Sequence, residues 1–259
     1  MTKRTGTRDE TATAAVPLRV RLDQAMAQRG LAQSRARARD AILRGFVEVN
    51  GRPVSSPSLM VAPGDVITTA AARWVSRGAE KLEAALEQFR IDPARRVALD
   101  VGASTGGFTE VLLQRGAVRV YAVDVGQGQL HPRLRDDPRV VSLEKTDARA
   151  IDAVLVPERA GIIVVDVSFI GLAKVLSAAL ARADVPADLV ALVKPQFELG
   201  PERIGKGGIV RDAADRAVAL KAAIAAIEEH PGWRVMGHIP SPVVGGDGNQ
   251  EYLVWARLT

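Results

Sequence analysis

A glycine-rich segment at residues 100–108 is the part of the sequence that most directly suggests chemistry. It has the sequence Asp-Val-Gly-Ala-Ser-Thr-Gly-Gly-Phe, follows a strand pattern and precedes a helix pattern. Glycines in such a turn let the backbone approach a ligand closely, and the first N–H groups of the helix can bind it. The spacing differs from the Gly-x-Gly-x-x-Gly of dinucleotide-binding turns, and the Gly-x-x-x-x-Gly-Lys-Ser/Thr of nucleotide triphosphatases is absent from the sequence. The segment therefore predicts a small-molecule site and excludes a P-loop.

Two aspartates at the ends of the next strands extend this site. Asp124 lies 22 residues after Gly102, where a carboxylate suits the two hydroxyls of a ribose. Asp147 follows the next strand and is placed to accept from an adenine amino group. The glycine-rich turn and these two aspartates together resemble the S-adenosylmethionine site of Rossmann-like methyltransferases. The resemblance implies that the cofactor is bound by Gly102, Ala103, Ser104, Gly106, Gly107, Phe108, Asp124, Asp147 and Ala148.

The remaining motifs limit the choice of the atom that such an enzyme would methylate. Methyltransferases of exocyclic amino groups typically carry an Asn/Asp-Pro-Pro-Tyr/Phe segment after the fourth strand, where this chain has Asp-Val-Ser-Phe at 166–169. Methylation at C5 of a pyrimidine needs a cysteine nucleophile, and the sequence has no cysteine. A ribose 2′-hydroxyl needs a base instead, and a lysine can serve when burial and a neighbouring cation lower its pKa.

Four charged residues occupy positions from which they can meet beside this site. Lys81 begins a predicted helix, Asp166 and Lys194 end two strands, and Glu251 comes just before the last strand. Each lysine alone would suit an exposed surface. Together the four residues resemble the Lys-Asp-Lys-Glu tetrad of FtsJ-type ribose 2′-O-methyltransferases. The resemblance implies that Lys194 is the base, that Lys81 and Asp166 tune and position it, and that Glu251 orients the cluster.

The positive charge of the chain is concentrated near its start. Residues 17–70 contain eight arginines and four acidic residues, whereas residues 71–259 contain 24 basic and 24 acidic residues. Guanidinium groups bind phosphates and stack on bases, so this asymmetry indicates nucleic-acid binding, with a solvated basic surface as the alternative.

The basic segment also has the pattern of a small αα-β unit. Helices are predicted over residues 18–28 and 35–43, the second capped by Ser34, followed by short strands around an Asn50-Gly51 turn. The segment resembles the S4 RNA-binding domain. The matching runs are Arg-Leu-Asp, Ser-Arg, Gly-Phe-Val-x-Val-Asn-Gly and Pro-Gly-Asp-x-Ile. By position, the resemblance implicates Arg21, Arg35, Arg39 and Arg44 in RNA binding, although any one of them can be an ordinary exposed arginine.

The rest of the chain alternates strand and helix patterns, which favours a mostly parallel sheet covered on both faces. Helices are predicted over residues 78–89, 108–114, 152–155, 172–183 and 212–228. Strands are predicted over residues 97–101, 119–123, 140–143, 162–165, 189–193, 233–239 and 252–257. We therefore expect an α/β, Rossmann-like class I methyltransferase fold with seven strands, preceded by an αα-β S4 domain. The expected divisions are a disordered leader over 1–16, the S4-like domain over 17–69, a linker over 70–75 and the methyltransferase domain over 76–259.

Residues 17–259 as a whole resemble the TlyA-type rRNA methyltransferases, a group also labelled haemolysins. The motifs are SRGAxKL, DVGASTGGFT, DVGxGQL, DVSFI, LVKPQFE, GKGGIVRD and GNxEY, with slight departures at Ala79 and at His131-Pro132. The resemblance implies S-adenosylmethionine as the cofactor and methylation of a ribose, that of a cytidine, in the ribosomal RNA of one or both subunits. We expect a cytoplasmic protein with ribosomal RNA or ribosomal subunits as partner and no metal site.

Several alternatives stay open at this point. A membrane-active haemolysin is one, although the longest apolar runs are far shorter than the about 18–20 residues that span a bilayer. A ribosome-assembly protein with an inactive methyltransferase domain is another. The Gly-Lys-Gly-Gly segment at 205–208 can close over the substrate or be a mobile loop. Phe169 and Phe197 can stack on a base or pack in the core, and Trp74 can join the two domains or be buried in the second.

Overall fold

The computed structural model describes residues 19–32, 34–43, 45–69, 74–245 and 248–259. The predicted leader over 1–16, the residues 70–73 of the predicted linker, and Arg44 lie outside these ranges. The chain divides into two units, Met1–Ala72 and Arg73–Thr259.

The first unit combines two helices with two small antiparallel sheets. Its elements are β1 (Val20–Arg21), α1 (Leu22–Gln28), α2 (Arg35–Leu43), β2 (Val47–Val49), β3 (Arg52–Pro53), β4 (Met60–Val61) and β5 (Ile67–Thr69). One sheet pairs β1 with β4, and the other has the order β3-β2-β5. Leu22, Met26 and Ile42 are fully buried where the helices pack on the strands. This burial supplies the apolar core that a unit of this size needs.

Two local predictions for this unit can be compared with the structure. The Asn50-Gly51 hairpin is confirmed, because both residues have left-handed backbone angles, φ 54° and 73°, as its two-residue turn requires. The helix predicted over 18–28 is too long, since α1 begins only at Leu22. Val20 and Arg21 are drawn into a strand instead, by pairing with Val61 and Met60.

The second unit is built around one twisted sheet with helices on both faces. Its elements are α3 (Gly78–Phe89), β6 (Val97–Val101), α4 (Gly107–Gln114), β7 (Arg119–Val123), α5 (Pro132–Arg135), β8 (Val140–Leu143), β9 (Ala160–Val165), α6 (Ala173–Leu180), β10 (Ala183–Val193), α7 (Pro195–Glu198), α8 (Ala213–Glu228), β11 (Trp233–Pro240) and β12 (Tyr252–Leu258). The strand order is β11-β12-β10-β9-β6-β7-β8. The strand β12 runs in the direction opposite to that of the other six strands. The predicted mostly parallel seven-stranded sheet is confirmed.

The core of this unit lies on both faces of the sheet. In β9, Ile162 and Val164 pack into one hydrophobic cluster and Ile163 and Val165 into the other, and all four are fully buried. Successive strand residues point to opposite faces, so a strand covered on both sides must be apolar throughout. Trp74 packs into the cluster with α3 and α4, which places its ring in the core of the second unit.

Two helix predictions for this unit are corrected. Residues 152–155 form one turn and not a helix: Val156 N donates to Asp152 O at 3.0 Å, and Pro157, which has no N–H group, follows directly. A short 3-10 turn over Ala148–Ala150 precedes it. The helix predicted over 172–183 ends at Leu180, since Ala183 already pairs with Ala160 as the first residue of β10.

Candidate active site

A cavity of about 460 Å³ opens at the carboxyl ends of β6, β7, β8 and β9. Ligands of open α/β sheets bind at this edge, and the volume is within the usual range for small-molecule sites. Among the predicted cofactor residues, five line the cavity: Gly102, Ser104, Asp124, Asp147 and Ala148. Residues that the sequence did not single out complete the wall: Val123, Val125, Gln129, Thr146, Val167, Ser168, Ile170 and Val175, besides Asp166 and Phe169.

The glycine turn lies close to the backbone that follows β9. Gly102 has φ 89°, and a Cβ at this position would collide with the carbonyl group of Asp166. Just before it, Asp100 is fully buried, and Thr109 Oγ1 donates to its Oδ2 at 2.6 Å. Burial raises the pKa of Asp100 to about 7. Its Oδ1 has no hydrogen-bond partner in the described part of the chain, but Asp100 is fully enclosed and does not line the cavity.

Asp124 is held in place by backbone donors. Its Oδ2 accepts from Ser104 N at 2.8 Å and its Oδ1 from Gly126 N at 2.7 Å, which fixes the carboxylate on the cavity wall. A carboxylate has about four acceptor positions, so lone pairs remain for ligand hydroxyls. Asp147 pairs with Arg149, whose hydrogen bonds lower the pKa of Asp147 to about 2. Asp124 therefore presents acceptor positions to a polar ligand, whereas both oxygens of Asp147 accept hydrogen bonds from Arg149.

Four of the predicted cofactor residues do not line the cavity. Phe108 is buried in the core, and Ala103 is buried beside it. A side chain at Gly106 would collide with Leu134, and one at Gly107 with Ser76, so these glycines are needed for packing. We therefore assign these positions to support of the turn, and a direct cofactor contact by them stays a prediction.

The loop after β7 forms part of the cavity wall. Glu144 holds this loop in place, and the sequence alone does not predict that role. The Glu144 carboxylate accepts from the N–H groups of Gly128, Gln129 and Leu130 at 2.7, 2.8 and 3.2 Å. These bonds lower the pKa of Glu144 and hold Gln129, whose side chain accepts from Ser104 Oγ at 3.2 Å. The Gly-Gln-Leu run of the sequence marks this loop, but nothing in it indicates the distant glutamate.

The four predicted catalytic residues form two ion pairs. Lys81 Nζ lies 2.5 Å from Glu251 Oε2, and Lys194 Nζ lies 2.5 Å from Asp166 Oδ1. Both lysines and Glu251 are buried. Lys194 directly follows β10 and Glu251 directly precedes β12, and the last and first residues of these strands are register partners. The pairs therefore lie side by side at the edge of the sheet, although their members are up to 170 residues apart in sequence.

Ion pairing offsets the free-energy cost of removing these two lysine ammonium groups from water. A buried ammonium group is costly unless an opposite charge and hydrogen bonds compensate it. Lys194 has a further contact, because its Nζ donates to Ser168 Oγ at 2.8 Å. Since Asp166 and Ser168 both line the cavity, Lys194 is the lysine whose immediate partners face a bound ligand.

An exposed aromatic side chain lies at the cavity wall. Phe169 is 91% exposed and has φ 65°, a left-handed conformation that is strained for a bulky residue. Its ring centroid is 5.2 Å from that of the partly buried Phe197. Packing in the core is therefore wrong for Phe169, and its ring is available to a ligand.

The Gly-Lys-Gly-Gly segment forms a tight turn, with Gly205 bridged to Ile209. Asn249, which is 1% exposed, accepts from Val210 N at 2.8 Å and donates to Gly208 O at 2.9 Å. The turn is thereby fixed to the segment that leads to Glu251, and its closure over a substrate stays a prediction.

In the first unit, two of the predicted RNA-binding arginines converge on one carboxylate. Arg21 binds Asp23 through two hydrogen bonds, at 3.0 and 2.9 Å, and Arg35 Nε lies 3.3 Å from Asp23 Oδ2. The hydrogen bond from Arg21 lowers the pKa of the buried Asp23. Arg39 is exposed on α2. Arg29 has a structural task instead, since it donates to three backbone carbonyls of residues 62–65.

None of the helices in the described ranges is long and apolar enough to cross a bilayer.

Comparisons with known proteins match both units. The FtsJ-like methyltransferase family matches residues 74–258 and the S4 domain family matches residues 20–67. The 16S/23S rRNA (cytidine-2′-O)-methyltransferase TlyA of Mycobacterium tuberculosis is 48% identical over 92% of this chain and 90% of that protein. Hemolysin A of Brachyspira hyodysenteriae is 41% identical over 90% of this chain and 98% of that protein. A solved structure of a candidate hemolysin from Streptococcus thermophilus has a TM-score of 0.73 and 39% identity, over 95% of this chain and 90% of that chain.

Proposed function

Because the chain belongs to the FtsJ-like methyltransferase family, we propose that it transfers a methyl group from S-adenosylmethionine to a ribose 2′-hydroxyl of ribosomal RNA. We propose that the ribose is that of a cytidine, the nucleoside on which the relative from Mycobacterium tuberculosis acts. The observation that carries the proposal is the pair of buried lysine–carboxylate contacts beside the cavity, at Lys194–Asp166 and Lys81–Glu251. The haemolysin alternative rests on the names of relatives alone.

The cavity fits this cofactor. Asp124 would accept from the ribose hydroxyls, Asp147 and Ala148 would hold the adenine, and the turn at Gly102 would let the ligand approach the backbone. When bound, S-adenosylmethionine supplies an electrophilic methyl group on a sulfonium sulfur, which keeps the electron pair of the broken S–C bond.

Lys194 would act on the 2′-hydroxyl of the substrate. The paired ammonium would lose one proton to solvent before the transfer, and the neutral amine would then accept the hydroxyl proton, so that the oxygen can use its electron pair to form the new O–C bond. Asp166 would stabilise the ammonium that this step regenerates, at 2.5 Å. Lys81 and Glu251 would fix the neighbouring edge of the site, since their pair lies beside Lys194 in the sheet register. Phe169 would stack on a base that leaves its helix to reach the cavity.

The direct test is methylation in vitro. Purified protein is incubated with ribosomal subunits and S-adenosylmethionine carrying a labelled methyl group, and the RNA is digested to nucleosides. We expect the label in 2′-O-methylcytidine. Label on a base, or no labelled RNA with either subunit, would contradict the proposal.

The cofactor assignment predicts the effect of removing the Asp124 carboxylate. Asp124→Ala removes the acceptor for the ribose hydroxyls, and hydrogen bonds to a charged group contribute about 1.5–3 kcal/mol. We therefore expect the Kd for S-adenosylhomocysteine to rise about 10- to 100-fold, measured by calorimetry. Asp136→Ala, at an exposed aspartate that does not line the cavity, is the matched control and should bind normally. Unchanged binding by Asp124→Ala would remove this residue from the cofactor site.

The S4 unit would dock the enzyme on structured RNA. Asp23 holds Arg21 and Arg35 together, with side chains that are 41% and 58% exposed, so their remaining N–H groups can bind phosphates. The Asp23 side chain is only 4% exposed, so it holds the two guanidinium groups on their buried side. Their solvent-facing N–H groups would be free to bind the RNA.

This docking role predicts a salt-dependent defect for Arg35→Ala. Loss of one phosphate contact should weaken rRNA binding and reduce the slope of log K against log salt concentration by about 1. Filter binding or fluorescence anisotropy at several salt concentrations measures both. Arg37→Ala serves as the control, since residue 37 is exposed on the same helix but two positions away from Arg35 and therefore on another face. Equal slopes for both variants would argue against a specific Arg35 contact.

A further inference from the structure

The environment of Lys194 contains a hydroxyl that the four-residue catalytic cluster does not include. Lys194 Nζ donates a hydrogen bond to Ser168 Oγ at 2.8 Å, whereas Asp166 Oδ1, 2.5 Å away, forms an ion pair with it without hydrogen-bond geometry. We infer that Ser168 is a positioning residue, whose hydroxyl fixes the direction in which the Lys194 amine faces the substrate. The inference rests on the proposed function, because it assumes that Lys194 accepts the proton of the 2′-hydroxyl.

The number of hydrogen-bonding positions on the amine supports this role. A neutral primary amine has two N–H bonds and one lone pair in tetrahedral directions. Ser168 Oγ accepts one N–H bond, and the Asp166 carboxylate attracts the N–H side of the amine, so the lone pair is directed away from both groups. With Asp166 alone, the amine can rotate about the Cε–Nζ bond among its staggered positions and turn an N–H bond toward the substrate instead. The hydroxyl and the carboxylate together therefore define a productive orientation that the carboxylate alone does not.

The hydroxyl and the carboxylate are held by one short and well-anchored segment. Asp166 and Ser168 are two residues apart in the chain that leaves β9, and Asp166 N donates to Val101 O at 2.9 Å. At the far end of the segment, Leu172 N donates to Glu198 Oε1 at 2.9 Å. Such a segment can hold both groups against Lys194 before the substrate arrives, as preorganised catalytic groups require.

The position of Ser168 on the cavity wall provides an alternative that the experiment must separate. The side chain lines the same cavity as Asp124 and Asp147, so its hydroxyl can contact the cofactor instead of orienting Lys194. A cofactor contact would change the Kd for S-adenosylhomocysteine. A positioning role would change kcat and leave that Kd and the KM for RNA as they are.

The test compares Ser168→Ala and Ser168→Thr with the wild-type chain. A tenfold change in rate corresponds to about 1.36 kcal/mol, which is within the usual net contribution of one hydrogen bond, so we expect Ser168→Ala to lower kcat about tenfold. Ser168→Thr keeps the hydroxyl and should restore most of the rate. Calorimetry with S-adenosylhomocysteine should give the wild-type Kd for both variants. Ser177→Ala, which removes a hydroxyl from an exposed position of α6, is the matched control.

Three results would overturn the inference. They are a wild-type kcat for Ser168→Ala, a weakened cofactor Kd with unchanged kcat, and a rate for Ser168→Thr as low as that for Ser168→Ala. Failure of the proposed function is recognised separately, because the wild-type chain would then not methylate ribosomal RNA at all.

Discussion

Lys194→Ala should reduce kcat for methylation of ribosomal RNA by about 10²- to 10⁴-fold, the usual contribution of a general base. The variant lacks the amine that accepts the 2′-hydroxyl proton, and Asp166 alone cannot replace it at the same position. The cavity wall does not include the Lys194 side chain, so the Kd for S-adenosylhomocysteine should stay that of the wild-type chain. Single-turnover methylation and calorimetry measure the two quantities.

A matched lysine variant separates this effect from a general loss of charge. Lys221 is exposed on α8 and forms no ion pair within the described residues, so Lys221→Ala should methylate RNA at the wild-type rate. If Lys194→Ala were to retain the wild-type kcat, Lys194 would not be the base. If it lost cofactor binding as well, its main role would be structural.

Glu251→Ala should lower the free energy of unfolding by about 3–5 kcal/mol, because it leaves the buried Lys81 ammonium without its partner. Lys81 and Glu251 are 8% and 2% exposed, so water cannot easily replace the lost carboxylate. Urea unfolding followed by circular dichroism measures the change, with the slope of the transition checked for two-state behaviour. Activity should fall together with stability.

The double variant Lys81→Met/Glu251→Leu is the control for this prediction. Replacing both members of a buried ion pair by apolar residues of similar size is often neutral for stability. We therefore expect the double variant to regain most of the lost stability and to remain poorly active, since the ion pair beside Lys194 is gone although Asp166 remains. Full activity in the stable double variant would mean that this pair only supports the fold. Wild-type stability of Glu251→Ala would mean that Lys81 is not buried and paired as described.

The sheet and the positions of its functional residues could be predicted from the sequence, because both follow from local patterns. Runs such as those of β9 are apolar throughout, which indicates a strand covered on both faces. Asp124, Asp166 and Lys194 each follow a strand directly, and parallel strands place their carboxyl ends at one edge. Their convergence could therefore be expected, and the resemblance to a known tetrad added Lys81 and Glu251.

The partners of these residues depend on side-chain packing and could not be predicted in the same way. Nothing in the sequence pairs Lys81 with Glu251 rather than with Asp166, and nothing connects Glu144 to the loop that it anchors. Ser168 sits within a recognised motif, but its contact with Lys194 appears only when β9 and β10 are adjacent.

The errors in the predicted elements have physical causes of the same kind. Pro157 limits the segment at Asp152 to one turn where a helix is predicted, and pairing with β4 makes the expected start of α1 a strand. Arg29 was counted in the basic excess, yet its guanidinium binds backbone carbonyls of its own unit. Charge counting locates an RNA-binding segment and does not distinguish its structural arginines.

If this chain methylates a ribose 2′-hydroxyl of ribosomal RNA with Lys194 as the base, the modification of cellular ribosomal RNA must depend on the gene and on that lysine. Mass spectrometry can map the 2′-O-methyl groups on ribosomal RNA from cells with and without the gene. We predict that at least one 2′-O-methylcytidine is lost without the gene, returns with the wild-type gene and does not return with Lys194→Ala. Identical 2′-O-methylation of both ribosomal subunits in the presence and absence of the gene would contradict the claim.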